Sequence, residues 1–351
     1  MPMTRLTRPI SIAALVLTSL CMSAQAQPVE SRDLERLTSE SFEDIKVARS
    51  DIMAAIDDPN MATSERLAAS AQLIEPLTGM IGSEDELKIV NALMIAGSIV
   101  TPEAVALIES SYQDSNPGVR YAALKALRST FEILGNQRTP SIDTREINRQ
   151  IETVADMLRN DSDTFVAEGA ARALIAAAKM RDTRLSASAE LAFGELAAAT
   201  STRLTSIDST PEDKQVGVVR IAMMSNFELG RILQSGPNKP GRDAIRTAAG
   251  LAGDSLAHAY DEFEAAKRKI ASISENDAEM LAQLVGASEN LVYSSQTALG
   301  QDPTRAALRG AFESGNDRDF NRAILTLIGG SGVLVQAPFS LESDRFVTSG
   351  G

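Results

Sequence analysis

Apolar residues recur at helical spacing along almost the whole chain, and one stretch shows the pattern most clearly. Between residues 114 and 127, a polar turn is followed by Pro117, which suits the first position of a helix, and then by apolar residues on one helical face. The same pattern returns 47 residues later, between residues 161 and 174. Similarity at a fixed spacing predicts a fold built from successive helical units.

Weaker helical stripes lie before and after these two units, so the chain is predicted to be all-α. Ser64 and Thr101 can cap helices upstream, and alanine-rich stretches follow downstream. Residues 181–332 keep the helical pattern without the repeat, which is compatible with a helical bundle or with diverged repeats. Residues 333–351 are predicted to form a short extended segment, at Val333-Leu334-Val335, and a flexible tail.

The two units resemble the HEAT-repeat family over about residues 101–178. Each has a first helix, a polar turn and a second helix with an alanine-rich face; the first unit, residues 101–127, also contains the Val119-Arg120 pair. The second unit spans residues 147–175. The resemblance implies a HEAT-like α-solenoid of antiparallel helical pairs over residues 27–180, with atypical terminal repeats.

The resemblance also implies a contact between neighbouring repeats. In HEAT repeats, an Asp in the turn and an Arg six residues later often form an inter-repeat ladder. Asp114 and Arg120 match this spacing. The second unit has Ala167 six residues after Asp161, so the ladder is expected to be incomplete there. The second helices of such repeats commonly line the concave side of the solenoid.

The first 26 residues have the features of a secretory signal peptide. Arg5 and Arg8 form a basic region, residues 12–20 are apolar, and Ala24-Gln25-Ala26 provides a small-residue cleavage site. The apolar run is shorter than the ~20 residues that span a bilayer, so no membrane span is predicted. Cys21 follows a leucine rather than a small residue, which argues against lipidation. The mature protein is therefore expected to be periplasmic or secreted.

The net charge limits the possible partners of the protein, and the cysteine content limits its possible chemistry. The formal net charge is −13, and removal of the signal peptide would take it to −15. An acidic chain repels nucleic acid phosphates, so no nucleic-acid partner is predicted. Cys21 is the only cysteine, so the mature chain would have neither a disulfide nor a cysteine nucleophile. Its stability would depend on its hydrophobic core.

A catalytic or metal site could be sought around the only histidine, His258. Asp254, Asp261 and Glu262 lie three or four residues away on a predicted helix. Asp254 and Glu262 would lie ~12 Å apart along that helix, too far to bind one ion. We interpret these carboxylates as a solvated acidic face that favours the imidazolium. No catalytic residue, metal or cofactor is predicted.

These features favour a non-catalytic, exported protein-binding scaffold or adaptor of a bacterial-type cell envelope, with another protein as partner. Arg120, Lys125 and Arg128 lie on or near the solvent side of a second helix and are the candidate partner-binding surface. Two alternatives stay open: an envelope-polymer hydrolase or lyase with a carboxylate-based site, and a self-associating structural component. The sequence does not specify the oligomeric state.

The signal peptide leads to a first prediction. Protein recovered from the exported fraction should begin at Gln27 and contain no thiol, because Cys21 lies in the segment that cleavage removes. Intact-mass spectrometry before and after treatment with a thiol-reactive label measures both properties. A mass that includes the first 26 residues, or a lipid on Cys21, would contradict this interpretation.

Overall fold

The fold is given by a computed structural model that describes residues 29–268 and 275–346. Within these ranges the chain is all-α, as predicted, and contains no β-strand. The predicted signal peptide, residues 1–26, and the end of the predicted tail, residues 347–351, lie outside the described residues. None of the described helices is long and apolar enough to cross a membrane.

Fourteen α-helices make up most of the described part of the chain. In order they are α1 (Ser31–Leu37), α2 (Phe42–Ile56), α3 (Thr63–Ile81), α4 (Glu86–Ile99), α5 (Pro102–Glu109), α6 (Pro117–Leu134), α7 (Thr144–Asn160), α8 (Thr164–Ala178), α9 (Ser186–Thr205), α10 (Glu212–Ser235), α11 (Arg242–Arg268), α12 (Glu275–Ala298), α13 (Leu308–Glu313) and α14 (Asp317–Ile328). Single turns of 3-10 helix span Thr183–Leu185, Ile207–Ser209 and Ser343–Phe346.

Short polar side chains fix where the repeat helices begin. The side-chain oxygens of Thr101 and Asn116 accept hydrogen bonds from backbone N–H groups in the first turns of α5 and α6. Asp143 and Asp163 cap α7 and α8 in the same way. Pro117 occupies the first position of α6, where its missing N–H has no intrahelical partner to lose. These caps place the helices of both predicted units.

The helices form two layers, and the chain alternates between them. The even-numbered helices from α2 to α12 pack side by side in one row, here called the inner row. The odd-numbered helices α3 to α11 form the outer row, in which α7, α9 and α11 pack most extensively. Helices α9 to α12 stack on α7 and α8 in this same arrangement. The two-layer stack therefore continues beyond residue 180.

Apolar side chains from both layers meet in a continuous core. Leu127 in α6 and Leu174 in α8 are fully buried at matching positions of successive units. Gly97 in α4 lies so close to α6 that a Cβ atom there would come within 2.6 Å of the Ala126 carbonyl oxygen. Small residues therefore set how closely neighbouring inner helices approach.

The segment after α14 differs from the predicted extended segment. Residues 333–335 form turns, in which the N–H groups of Val333 and Leu334 donate to the Thr326 and Leu327 carbonyl oxygens, each at 3.0 Å. Leu334 is fully buried. The apolar run that suggested a strand instead folds back on the end of α14 and fills part of the core.

The predicted flexible tail is wrong for residues 341–346, which pack against the helices. Arg345 donates from Nε and Nη2 to the buried Asp254 carboxylate of α11, at 2.9 and 2.7 Å. Phe346 lies against Gly253, where a Cβ atom would overlap its ring. Because Arg345 and Asp254 are 91 residues apart, no local pattern indicated this contact.

The matched core positions lead to a prediction about stability. Leu127→Ala and Leu174→Ala should each lower the free energy of unfolding by ~2–5 kcal/mol, because both truncations leave a cavity in a packed core. Urea denaturation measures the change. The control is Leu67→Ala in α3, whose side chain is exposed and should cost at most about 0.5 kcal/mol. Near-neutral effects at both core positions would mean that the 47-residue match is coincidental.

Candidate partner-binding groove

Of the predicted ladder residues, Asp114 lies in the turn between α5 and α6, and Arg120 lies in the first turns of α6. Arg120 donates from Nε and Nη2 to the two carboxylate oxygens of Asp161, each at 2.9 Å. Its Nη1 donates to the Asp114 carbonyl oxygen at 2.8 Å. The bidentate pair with Asp161 holds the pKa of the Arg120 guanidinium above its ordinary value. Arg120 therefore joins the first unit to the second.

The expected gap in the ladder at Ala167 is filled from elsewhere in the chain. Arg203, in α9 of the next unit, donates from Nη1 to the carbonyl oxygens of Leu158 and Asp161, at 3.0 and 2.9 Å. Asp161 therefore contacts an arginine from the unit before it and another from the unit after it. The spacing rule could not find Arg203, because it lies 42 residues beyond Asp161.

The candidate partner-binding surface needs correction at Arg120. Its side chain is largely buried, and its guanidinium is committed to the ladder, so it is not available to a partner. Lys125 is exposed on α6. Arg128 is partly exposed on the same helix and lines an open cavity. Arg120 therefore forms a structural contact, Lys125 lies on an exposed helix face, and Arg128 lies in the cavity.

This open cavity has a volume of about 940 Å³ and lies on the inner row. Helices α6, α8, α10 and α12 all line it, together with α13. Because α8 and α10 pack between α6 and α12, the cavity extends across four neighbouring helices of the inner row. We call this concave surface the inner groove.

Positive charge dominates the inner groove, although the chain as a whole is acidic. Its carboxylates are Glu132, Glu168 and Glu228. Its cationic side chains outnumber them two to one and are Arg128, Arg172, Lys179, Arg181, Arg220 and Arg309. The groove therefore has a formal excess of three positive charges on a chain whose net charge is −13.

Each groove glutamate is paired with a cation. The closest pairs are Arg128–Glu132 at 2.7 Å, Arg172–Glu168 at 2.6 Å and Lys179–Glu228 at 2.7 Å. Glu168 also lies 3.9 Å from Arg220 Nη1, which is beyond hydrogen-bond distance. The carboxylates thus neutralise part of the positive charge and hold the long side chains in place.

Apolar side chains form a patch between these charges. Phe227 is 55% exposed, and Met223 and Met224 beside it are partly exposed. The guanidinium of Arg231 lies 5.8 Å from the centre of the Phe227 ring. Methionine side chains are flexible and polarizable, so they can adapt to the shape of a bound apolar group. An exposed aromatic residue between methionines and cations is typical of an interaction surface.

The repeat spacing predicts one feature of the basic surface on the inner row. Lys125 and Arg172 are separated by the repeat distance of 47 residues, so they occupy matching positions in the two units. Arg220, Phe227 and Arg309 lie on helices without a recognisable repeat. No pattern in the sequence distinguishes these three residues from ordinary exposed side chains, because they come together only in the fold.

The environment of His258 differs from the predicted acidic face. The side chain is half-buried in α11, and burial lowers the pKa of the imidazole below 6.5. Glu262, Asp261 and Asp208 act in the opposite direction with a smaller effect. The acidic neighbours therefore favour the imidazolium, as predicted, but the prediction omitted desolvation, which is larger and lowers the pKa overall.

The acidic residues around His258 do not converge on a metal site. Asp254 accepts hydrogen bonds from Arg345 and Ser201 in a buried cluster. Within residues 29–268 and 275–346, no group of three or more His, Cys, Asp or Glu side chains is arranged to hold a metal ion. His258 is not one of the residues that line the inner groove.

Comparison with known proteins agrees with the helical-repeat fold. Residues 74–175 match the family model described as HEAT repeats, so the predicted resemblance is confirmed over a segment that begins before residue 101. No curated protein shows a significant match. The crystal structure of an engineered protein matches with 16% sequence identity and a TM-score of 0.36, covering 74% of this chain and 96% of that one.

The buried histidine leads to a prediction about pH. Because the folded-state pKa of His258 is lowered below 6.5, the unfolded chain binds a proton first as the pH falls, which favours unfolding. Stability should therefore decrease on acidification through pH 6.5, and His258→Gln should remove this part of the decrease. NMR titration of the single histidine measures the pKa directly. A value above 6.5 would show that the acidic neighbours outweigh burial.

Proposed function

We propose that the mature chain is a non-catalytic scaffold, exported to a bacterial-type cell envelope, that holds a partner protein in its inner groove. The observation that carries the proposal is the groove itself, which exposes Phe227 and two methionines among six cationic side chains. The repeat segment is a helical-repeat scaffold, an architecture that serves protein interaction.

The composition of the groove supports a protein partner. Interface residues that contribute most to binding are enriched in aromatic side chains and arginine, and they lie in pockets from which water is excluded on binding. The groove offers Phe227 as the aromatic contact, and Arg128, Arg172 and Arg220 line the same cavity. Its cavity of about 940 Å³ is large enough for several side chains of a partner to enter together.

Pairing of the groove carboxylates supports a non-catalytic role. A general acid in a glycosidase-type site is a carboxyl group kept protonated by an apolar or anionic environment. Glu132, Glu168 and Glu228 instead lie within 2.7 Å of cationic side chains. These three carboxylates are therefore engaged in salt bridges with neighbouring side chains.

Export is supported by sequence features alone. The basic, apolar and small-residue regions of residues 1–26 follow the order of a secretory signal, and the chain after Gln27 contains no cysteine. An exported scaffold would meet partners of the cell envelope. Localisation is tested by the intact mass of the exported protein.

Site-specific photo-crosslinking tests the binding surface. A photoreactive phenylalanine analogue replaces Phe227 in the groove, or Leu325 on α14, which is equally exposed at 56% but does not line the groove. The chain is expressed in its native cells and irradiated before extraction. We expect the analogue at 227 to crosslink to a foreign protein, and the analogue at 325 to give little of that product.

Three outcomes would contradict the proposal. Equal crosslinking at both positions would show non-specific contact. Crosslinks from position 227 only to other copies of the chain would favour the self-associating structural component. Release of envelope-polymer fragments by the purified protein, lost on neutralising Glu168, would favour the enzyme.

A further inference from the structure

We infer that the segment bound in the inner groove is an acidic amphipathic α-helix, with its apolar stripe on Phe227 and the two methionines. This inference rests on the proposed function, because it identifies the class of partner for that surface. It follows from three properties of the groove: the sign of its charge, the position of its apolar patch and the chemistry of its walls.

The charge of the groove selects an acidic partner. Six cations and three glutamates line the groove. Arg309 is paired with Glu313 outside the lining at 2.7 Å, and Glu168 is shared between Arg172 at 2.6 Å and Arg220 at 3.9 Å. At that longer distance, the N–H donors of Arg220 are not used by Glu168. Arginines from neighbouring helices thus keep donors for a carboxylate that enters the groove. A basic segment would instead add like charge to the existing excess.

The apolar patch requires a partner that has apolar side chains as well as acidic ones. Phe227, Met223 and Met224 lie on one helix, α10, in the middle of the inner row that lines the groove. Covering Phe227 removes apolar surface from water, which free carboxylates cannot do. The arrangement therefore matches a segment with a central apolar stripe and acidic residues beside it.

The walls of the groove favour a helical partner over an extended one. All four inner helices that line it use their backbone groups internally, and no strand edge exists in the described residues. An extended segment would have to pair its backbone N–H and C=O groups with side chains such as Asn136, Gln283 and Asn290, because the described residues present no strand edge to pair them. A helix satisfies its own backbone and presents only side chains, which is the helix-in-groove mode of recognition.

The size of the groove agrees with this mode. Two turns of α-helix are about 11 Å long and about 10 Å in diameter. The cavity measures about 940 Å³. Two turns present apolar residues at positions i, i+3, i+4 and i+7, with acidic residues on the flanks.

Selection from a random library tests the inference and does not require the natural partner. A displayed library of random 16-residue peptides is selected on the mature chain, and in parallel on the Phe227→Ala variant. We expect groove-dependent clones, enriched on the wild type only, to combine Asp and Glu with large apolar residues at helical spacing. Enrichment of basic, proline-rich or strictly alternating sequences would overturn the inference.

One enriched peptide is then measured by fluorescence anisotropy against two triple variants. The groove variant carries Arg128→Gln, Arg172→Gln and Arg220→Gln. The control carries Arg145→Gln, Arg318→Gln and Arg322→Gln, three exposed arginines that do not line the groove. Both variants lose three positive charges, so their net charge is the same. Only a local effect of the groove can separate them.

We expect at least a tenfold larger dissociation constant for the groove variant and less than a threefold change for the control. Proline in the middle of the peptide should also weaken binding at least tenfold, because it breaks the helix. Equal effects of the two triple variants, or full tolerance of proline, would overturn the acidic-helix inference. The melting temperature of each variant verifies that the fold is retained.

The two proposals can fail separately. If position 227 crosslinks specifically to a foreign protein in cells but the selected peptides are basic or extended, the groove binds protein and the acidic helix is wrong. If position 227 shows no specific crosslink and no clone depends on Phe227, the proposed scaffold function fails with it.

Discussion

Carbonyl groups at helix ends inside the stack need hydrogen-bond donors, and buried arginines supply them. Arg66 donates to Ile56 O at the end of α2 and to Ser98 O at the end of α4, at 3.3 and 3.1 Å. Arg203 does the same at the end of α7. Burial lowers the pKa of both guanidinium groups, and nearby aspartates oppose this effect. The negative ends of helix dipoles therefore serve as part of the counter-charge.

These contacts also hold successive units in register. Asp161 receives Arg120 on its carboxylate and Arg203 on its carbonyl oxygen, so one turn links three helical units. A planar guanidinium with several fixed donors can bridge two partners at once, which a lysine ammonium does less well. The register keeps α6 and α8 side by side along the inner row. The groove lies on that row.

The sequence predicted the structural features that depend on residues close together in the chain. The cap at Thr101 and the start of α6 at Pro117 followed from local signals that lie within a few residues. In contrast, α3 begins at Thr63, before the predicted cap Ser64. Arg203 and Arg345 were missed, because their partners lie 42 and 91 residues away. Of the groove cations, only Arg128 was predicted. Arg172 lies in the second unit, whereas Arg220 and Arg309 come from helices without a visible repeat. The apolar patch of the groove at Phe227 depends on how α10 is oriented, which periodicity alone leaves open.

An acidic chain with a cationic groove can select its partner by repulsion as well as by attraction. The net charge of −13 acts at long range, and the ~8 Å Debye length of physiological salt screens it. Contacts within the groove are shorter than this length, so they are screened less. An acidic helix is therefore disfavoured over most of the surface and favoured where the arginines of α6, α8 and α10 converge. Because salt weakens both the repulsion and the attraction, the total charge of the chain predicts little about binding, whereas the position of each arginine predicts much.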